Sequence, residues 1–265
     1  MKGASLALGA YSAMLWRALI GSAVTLPLWL TSRSPWPDGK VLRVHLLRGA
    51  VTAVMALLFF HSLTLLPLAL AIAISFFAPL ISLYLAAVML KERIAGSAIA
   101  ASLIGLVGVM VICWPELAAG GARRIEGIAA VIVSAVFYAL NLVLQRRQAL
   151  ISHPREIAFF QNAVTTLVLA LAAPWFLRPL GDTLGLVALA SFMSISAGML
   201  LAWAYARAEA QVLVPLEYSA FGWAAAVGWL AFGEAVSTAT LVGVVLIVAA
   251  CLVAARRTPP EPVAA

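Results

Sequence analysis

The sequence predicts an all-α membrane protein, a polytopic helical bundle made of two repeats that cross the bilayer in opposite senses. The first observation is composition: 65% of the residues are hydrophobic and 10% are charged, whereas soluble domains carry about 25% charged residues. The second is a series of nine apolar runs, each of about 20 residues, which is the length of one bilayer crossing. The third is that one pattern returns 142 residues further along the chain.

The nine runs are separated by short polar connections, and each is predicted to be one transmembrane helix. They cover residues 10–31, 44–65, 69–90, 95–114, 125–145, 157–177, 183–206, 211–232 and 237–255. Residues 2–12, which overlap the start of the first run, are predicted to be a loop between two crossings.

The third and fourth runs meet at a short charged turn that contains Glu92, and the eighth and ninth meet at a similar turn that contains Glu234. Aligning these two glutamates sets the offset of 142 residues, on which the partner of the fifth run would precede Met1. The chain is therefore expected to show nine helices of a five-plus-five arrangement, with the first helix of repeat one missing. The predicted divisions are repeat one at 1–115, a linker at 116–124, repeat two at 125–257 and a disordered tail at 258–265.

The distribution of basic residues predicts the orientation. When the C-terminus is placed in the cytoplasm, the inner connections hold eleven lysines and arginines and the outer ones hold four, as the positive-inside rule requires. Repeats with an odd number of crossings then lie inverted with respect to each other. The net charge of +7 is explained by this distribution, and no basic face with interleaved aromatics is left for nucleic acid.

Two pairs of segments carry a family resemblance. The first pair is LLPLALAIAISFFAPLISLYLAAVMLKERI followed by GLVGVMVI, and the second is AYARAEAQVLVPLEYSAFGWAAAVGWLAFGEAV followed by LVGVVLIVA. On these segments the chain resembles the EamA-type transporters of the drug/metabolite transporter superfamily, whose members have two inverted repeats of five helices. The resemblance covers nearly the whole chain.

The resemblance implies a multi-pass secondary transporter of the bacterial inner (plasma) membrane, and the distribution of basic residues places its C-terminus in the cytoplasm. It implies export or exchange of a small polar metabolite, often an amino acid or a related compound, by alternating access. The expected partners are the small-molecule substrate and the lipid bilayer, with protons as a candidate coupling ion. No cofactor, metal or nucleic acid is expected, and monomer and homodimer both stay open.

Glu217 is the leading candidate for substrate binding or proton coupling. It lies seven residues into the eighth run, and inserting a charged residue at mid-membrane costs roughly 2.5 to 3.5 kcal/mol. The alternative is a carboxylate neutralised by an arginine or hydrated from the membrane face. Tyr218 and Trp223 could line the same pocket. Pro215 and Pro79 are expected to kink the eighth and third runs, because proline removes a backbone donor.

Two arginines and a histidine are further polar residues of the apolar runs. Either arginine, Arg17 or Arg48, could pair with Glu217 or hold a substrate carboxylate by two parallel hydrogen bonds. For Arg48 the favoured alternative is that its charged group extends to the inner membrane face, near Arg43 and His45. His61 is either a proton relay or, as lone histidines usually are, a hydrogen-bonded packing residue.

One polar stripe on the fifth run is expected to face a cavity. Tyr138, Asn141 and Gln145 lie about one helical turn apart, and interhelical hydrogen bonding is the alternative role. Glu92 and Glu234 are predicted to cap the amino end of the helix that follows each of them.

Two other classes of protein fit the sequence less well. An intramembrane enzyme is disfavoured, because the chain contains no H-E-x-x-H, G-x-S-x-G or P-loop motif. A membrane scaffold or assembly subunit without transport is the alternative function, and polar residues at mid-membrane depth argue against it.

Overall fold

A computed structural model describes residues 1–32, 36–90, 96–207 and 219–256. All regular elements in this part of the chain are helical. They are α1 (Lys2–Leu8), α2 (Ala10–Leu30), α3 (Gly39–Ser62), α4 (Leu68–Ser75), α5 (Ala78–Leu90), α6 (Gly96–Ala118), α7 (Ala122–Ala149), α8 (Pro154–Ala170), α9 (Ala173–Phe176), a 3-10 turn (Gly181–Thr183), α10 (Leu184–Tyr205), α11 (Ser219–Phe232) and α12 (Thr238–Arg256).

Several of these helices have the length and composition of membrane spans. Within the described ranges, four are long and apolar enough to cross a bilayer, namely Ala10–Leu30, Gly39–Ser62, Ala122–Ala149 and Gly181–Ala204. Shorter apolar helical stretches cover Leu68–Ser82, Ser102–Ala118, Ser219–Phe232 and Thr238–Leu252. The predicted fold class, an all-α polytopic bundle, is confirmed.

The third apolar run forms two helices instead of one. The first, α4, ends at Ser75, and α5 begins at Ala78, because Pro79 has no N–H to donate to the carbonyl one turn earlier. The Phe76 N lies 3.2 Å from the Ile72 oxygen. The helical hydrogen bonds resume where the Ile81 N lies 3.3 Å from the Phe77 oxygen. The break lies next to the proline at which the sequence predicts a kink.

Two segments predicted to be loops are shorter or more regular than expected. Residues 2–12, expected as a loop, contain α1, whose Ala4 and Leu8 are buried. Gly9, with φ of 83°, separates α1 from α2, a backbone angle that glycine adopts without strain. The linker expected at 116–124 is reduced to residues 119–121 between α6 and α7.

Helices of the two predicted repeats pack against one another in antiparallel pairs, and the closest approach is between α6 and α12. A methyl group added to Gly243 would lie 2.2 Å from Ile112 Cγ1, and one added to Gly108 would lie 2.7 Å from Ile247 Cγ1. Small residues permit this backbone approach in membrane bundles. The other two extensive pairs are α3 with α7 and α2 with α8.

The bundle has two chemically distinct ends. We call one the arginine-rich end, because the termini of α3, α7, α8 and α10 there carry Arg43, Arg146, Arg147, Arg155 and Arg207. The opposite end carries charges of both signs, including Lys2, Arg124, Glu116, Glu126 and Glu234.

Candidate functional site

A cavity of about 350 Å³ lies inside the bundle, between helices of both predicted repeats. Most of the wall formed by the described residues is apolar, and among these lining residues Ser75, Ser134 and Tyr138 carry hydroxyl groups. Its size suits a small molecule, and an apolar pocket with a few polar groups is the usual form of a ligand site. The lining residues include Met55, Phe59, Ser75 and Pro79 from repeat one, and Ser134, Tyr138, Leu201 and Ala220 from repeat two.

A buried polar cluster, which we call the Arg48 network, lies along the same α3–α7 interface toward the arginine-rich end. The Arg48 guanidinium donates from Nε to Asn141 Oδ1 at 3.1 Å and from a terminal nitrogen to Gln145 Oε1 at 3.1 Å. Its other terminal nitrogen donates to Gln148 Oε1. Thr52 Oγ1 also donates to Asn141 Oδ1, at 3.1 Å. Three amide side chains of α7 therefore surround one arginine of α3.

The network continues from Gln148 to a histidine and a glutamate. Gln148 Nε2 bonds to His45 Nδ1, and His45 Nε2 lies 2.8 Å from Glu156 Oε1. The His45 ring stacks on Phe160 with a centroid distance of 4.6 Å. Ser152 Oγ lies 3.4 Å from His45 Nε2. Helices α3, α7 and α8 are thus joined by one continuous chain of polar contacts.

The two charges of this network do not touch. Arg48, only 8% exposed, binds neutral amide oxygens, and no ion pair to it occurs in the described part of the chain. The Glu156 carboxylate is held by His45 and lies in the first turn of α8, where a helix dipole favours negative charge. The side chains of Gln148 and His45 lie between the Arg48 guanidinium and the Glu156 carboxylate.

The position of Arg48 corrects the expectation that it extends to the membrane face. The Asp38 side chain accepts hydrogen bonds from Lys40 N at 3.0 Å and Val41 N at 2.8 Å, so α3 starts at Gly39, well before the apolar run. Arg48 is then nine residues into the helix, roughly 13 Å from its start at 1.5 Å per residue. At that depth its donors meet α7 instead of water.

The predicted stripe on α7 divides into two environments. Asn141 and Gln145 are buried acceptors for Arg48, and Tyr138, one turn away, lines the cavity. The stripe therefore connects the cavity to the Arg48 network. The two roles considered for it, cavity wall and interhelical hydrogen bonding, are shared among its members.

Arg17 lies apart from this cluster, between α2 and α10. One of its terminal nitrogens donates to Ser194 Oγ at 2.6 Å, and its Nε is buried without a hydrogen-bond partner. The Arg17 carbonyl accepts from Ser191 Oγ at 3.2 Å. No carboxylate pairs with Arg17 among the residues that the structure covers.

Two other predicted residues lie away from the cavity. His61 bonds to Glu126 Oε1 at 2.8 Å at the opposite end, where both side chains are exposed. Trp223 is 72% exposed on α11 and is not part of the cavity lining. The expected pocket role of Trp223 is thus corrected, because its ring lies on the outer surface of the bundle.

Glu234 caps a different helix from the one predicted. Its Oε2 accepts from the Leu68 N–H at the start of α4, at 2.8 Å, and its Oε1 pairs with Lys2. The helix that follows Glu234 instead has Ser237, whose Oγ accepts from the Thr240 N–H at 3.1 Å. The prediction that Glu234 caps the next helix is wrong, since tertiary packing brings α4 to its carboxylate.

Four predicted site residues, Glu217, Tyr218, Pro215 and Glu92, lie outside the described residues. The sequence favoured the membrane face over a site role for Arg48, and it predicted no site role for His45, Gln148 or Glu156. A signal for them exists, because positions 45, 48 and 52 on α3 and positions 141, 145 and 148 on α7 are polar at helical spacing. Two such stripes inside apolar runs indicate a buried polar interface.

Comparison with known proteins gives the family. A family model described as EamA-like transporter family matches residues 1–114 and 125–256. The pseudopaline exporter CntI of Pseudomonas aeruginosa is 28% identical over 262 residues, which is 97% of this chain and 89% of that protein. The S-adenosylmethionine uptake transporter of Rickettsia felis is 27% identical over 215 residues, 79% of this chain and 70% of the relative.

Two further matches agree with these relatives: one is another named transporter, and the other is a solved structure with a similar fold. The riboflavin transporter of Rhizobium johnstonii is 29% identical over 212 residues, covering 78% of this chain and 68% of that protein. A solved crystal structure with 24% identity covers 95% of this chain and 93% of its own, with a TM-score of 0.64, which shows the fold alone. The named relatives are small-molecule transporters and not enzymes, and their family consists of multi-pass membrane proteins. On the match across both halves of its length, the chain belongs to the EamA-like transporter family.

Proposed function

We propose that this chain is a secondary transporter of the inner membrane that moves small polar metabolites of the amino-acid class by alternating access. The observation that carries the proposal is the cavity of about 350 Å³ whose wall is shared by helices of the two predicted repeats. In inverted-repeat transporters, substrate binds at the interface between repeats, and rocking of one repeat against the other exposes the site to each side in turn.

The chemistry beside the cavity supports a polar substrate with a carboxylate. Thr52 and Asn141 extend the Arg48 network toward the cavity, which Met55 and Tyr138 line one turn further along the same helices. A guanidinium matches a carboxylate by two parallel hydrogen bonds. The apolar remainder of the wall suits the side chain of an amino-acid-like compound.

The relatives support transport of a small molecule, and their names include both export and uptake. The pseudopaline protein, which matches 97% of this chain, is named an exporter, and we assign export or exchange here. The orientation with the arginine-rich end and the C-terminus in the cytoplasm follows from the positive-inside rule. Glu217 and Tyr218 stay predictions from the sequence.

A counterflow assay tests the proposal. Purified protein is reconstituted into liposomes preloaded with one unlabelled compound, and entry of the same labelled compound is followed for L-methionine, L-glutamate, L-tryptophan and S-adenosylmethionine. We expect saturable counterflow of at least one compound, with weaker competition by its carboxylate methyl ester than by the free acid. Absence of counterflow for the whole panel, with folded protein in the liposomes, would contradict the proposal and favour the scaffold alternative.

A further inference from the structure

We infer that a groove at the arginine-rich end binds the headgroup of an anionic phospholipid. The groove has a volume of about 580 Å³ and lies where the connection between α7 and α8 meets the end of α10. The observation that carries the inference is the Arg207 guanidinium, which stacks on Trp203 in the lining of this groove. Among the described residues, no carboxylate pairs with it.

The lining of the groove combines apolar surface with hydrogen-bond donors. Leu150 and Trp203, which are 68% and 52% exposed, supply apolar surface at its two sides. Ser152, His153 and Arg207 supply polar groups that can donate to a phosphate oxygen. A phospholipid presents the same combination where its headgroup joins its acyl chains, so the groove matches that part of a lipid in chemistry.

Contacts with Trp203 orient the Arg207 guanidinium before any anion binds. The Arg207 Cζ atom lies 4.5 Å from the centroid of the Trp203 ring, and one terminal nitrogen donates to the Trp203 carbonyl oxygen at 3.2 Å. A guanidinium stacked on an aromatic ring keeps other N–H groups for two phosphate oxygens. Since no ion pair has to break, a phosphate can bind to Arg207 without loss of an existing charge contact.

The charge around the groove favours an anion. Arg146 and Arg147 lie in the last turn of α7 and Arg155 in the first turn of α8, and none of the three pairs with a carboxylate within the described ranges. The acid of the same turn of α8, Glu156, is 7% exposed and is bound by His45. At the opposite end, in contrast, three carboxylates each contact a basic side chain. Unpaired basic side chains at a membrane face attract anionic lipids.

A strip of exposed apolar side chains on α10 leads from the groove along the bundle, and it distinguishes a lipid from a soluble phosphate. Phe192, Met193, Leu200 and Trp203 share one face of the helix and are between 52% and 68% exposed. From Phe192 to Trp203 the strip is roughly 17 Å long at 1.5 Å per residue, which is about half of a 30 Å hydrocarbon core. Tryptophan is enriched at the membrane interface. The strip therefore spans one leaflet, with the Arg207 guanidinium at the level of the headgroups.

Native mass spectrometry of the purified full chain in detergent tests the identity of the ligand. Phosphatidylglycerol is expected to bind at least about fivefold more tightly than phosphatidylcholine with the same acyl chains, because only phosphatidylglycerol carries a net negative charge. Equal affinities for the two lipids would overturn the inference. Displacement of the bound lipid by inorganic phosphate would indicate a site for free phosphate and would overturn it as well.

Two charge variants at the same end separate the groove from the basic surface around it. Arg207→Gln is expected to weaken the binding of phosphatidylglycerol about fivefold or more. Arg146→Gln, exposed at the end of α7 but outside the lining, should weaken it less than about twofold, because solvent screens exposed charges. Arg207→Lys keeps the charge without the planar fork, so it should keep part of the affinity and guards against a folding defect. Equal losses in Arg207→Gln and Arg146→Gln would contradict the assignment to the groove.

Fluorescence quenching locates the bound lipid. Phosphatidylglycerol with brominated acyl chains should quench the tryptophan emission of the wild type more than brominated phosphatidylcholine does. This excess should be lost in Trp203→Phe and kept in Trp175→Phe, the matched control, since Trp175 is 75% exposed at the opposite end. An excess that persists in Trp203→Phe would refute the inference. None of these measurements involves transport, so their outcome is independent of the proposed function.

Discussion

Replacing Glu234 by alanine removes two contacts that hold three helices together at the opposite end of the bundle. Glu234, in the turn after α11, pairs with Lys2 of α1 and accepts from the Leu68 N–H of α4. Lys2 Nζ also donates to the Leu66 oxygen at 2.9 Å. The Lys2 side chain is only 6% exposed, so water solvates its charge poorly when the carboxylate is removed.

The expected loss of stability follows from these contacts. Breaking a buried ion pair from one side costs about 3–5 kcal/mol, because the remaining charge is uncompensated. Loss of a helix cap costs about 0.5–2 kcal/mol, and the two effects overlap at one carboxylate. We expect Glu234→Ala to lower the free energy of unfolding by about 3–5 kcal/mol, and Glu234→Gln, which keeps an acceptor for Leu68, by roughly 1–3 kcal/mol.

Denaturant unfolding of the purified protein in detergent micelles measures these differences. Glu116→Ala is the matched control, since its pair with Arg124 is more exposed and is expected to contribute about 0–1 kcal/mol. A double-mutant cycle of Lys2→Met with Glu234→Gln should give a coupling energy of about 0.5–3 kcal/mol. Equal effects of Glu234→Ala and Glu116→Ala, or a coupling energy near zero, would refute this reasoning.

Three further predictions address packing, the cavity and a surface pair. Gly243→Ala at the α6–α12 crossing is expected to lower the free energy of unfolding by about 1–3 kcal/mol, because the added methyl group overpacks the interface. Gly198→Ala, with open space around it, should change the free energy of unfolding by less than about 0.5 kcal/mol. Equal unfolding curves for the two variants would contradict the close approach of α6 and α12. Leu201→Trp, which fills the cavity, should reduce the rate of counterflow at least tenfold. Leu200→Trp, on the exposed side of the same helix, should not reduce it. Equal rates for the two variants would argue against a substrate path through the cavity. His61→Ala should change the free energy of unfolding by less than about 1 kcal/mol, because its partner contact is exposed, and a larger loss would show that the pair is structurally essential.

The helical fold could be predicted from the sequence because the length of the apolar runs determines it. Runs of about 20 apolar residues have few alternatives to a membrane helix, and the observed helices follow the predicted runs. Breaks within the helices were harder to predict, because a proline allows a break in a helix but does not require one. Pro79 marks the gap between α4 and α5, whereas Pro27 lies inside α2, which stays one helix.

The candidate site could be predicted only in part, because its contacts join residues far apart in sequence. Asn141 and Gln145 were recognised as a stripe, but their partner Arg48 lies almost a hundred positions earlier, next to basic residues that suggested a membrane face. Glu156 lies in a first turn, where acidic residues are ordinary. Only the antiparallel packing of α3 with α7, and the contact of both with α8, brings these groups together.

The cavity between the repeats is the centre of this account, and its exposure to both sides of the membrane is the property to measure. Ser75 lines the cavity, and the native Cys113 and Cys251 are buried, so a Ser75→Cys variant offers one accessible thiol for a membrane-impermeant maleimide. In right-side-out and inside-out vesicles alike, we expect this thiol to be labelled, with protection by a transported compound. Labelling from one side only under every substrate and pH condition would contradict alternating access.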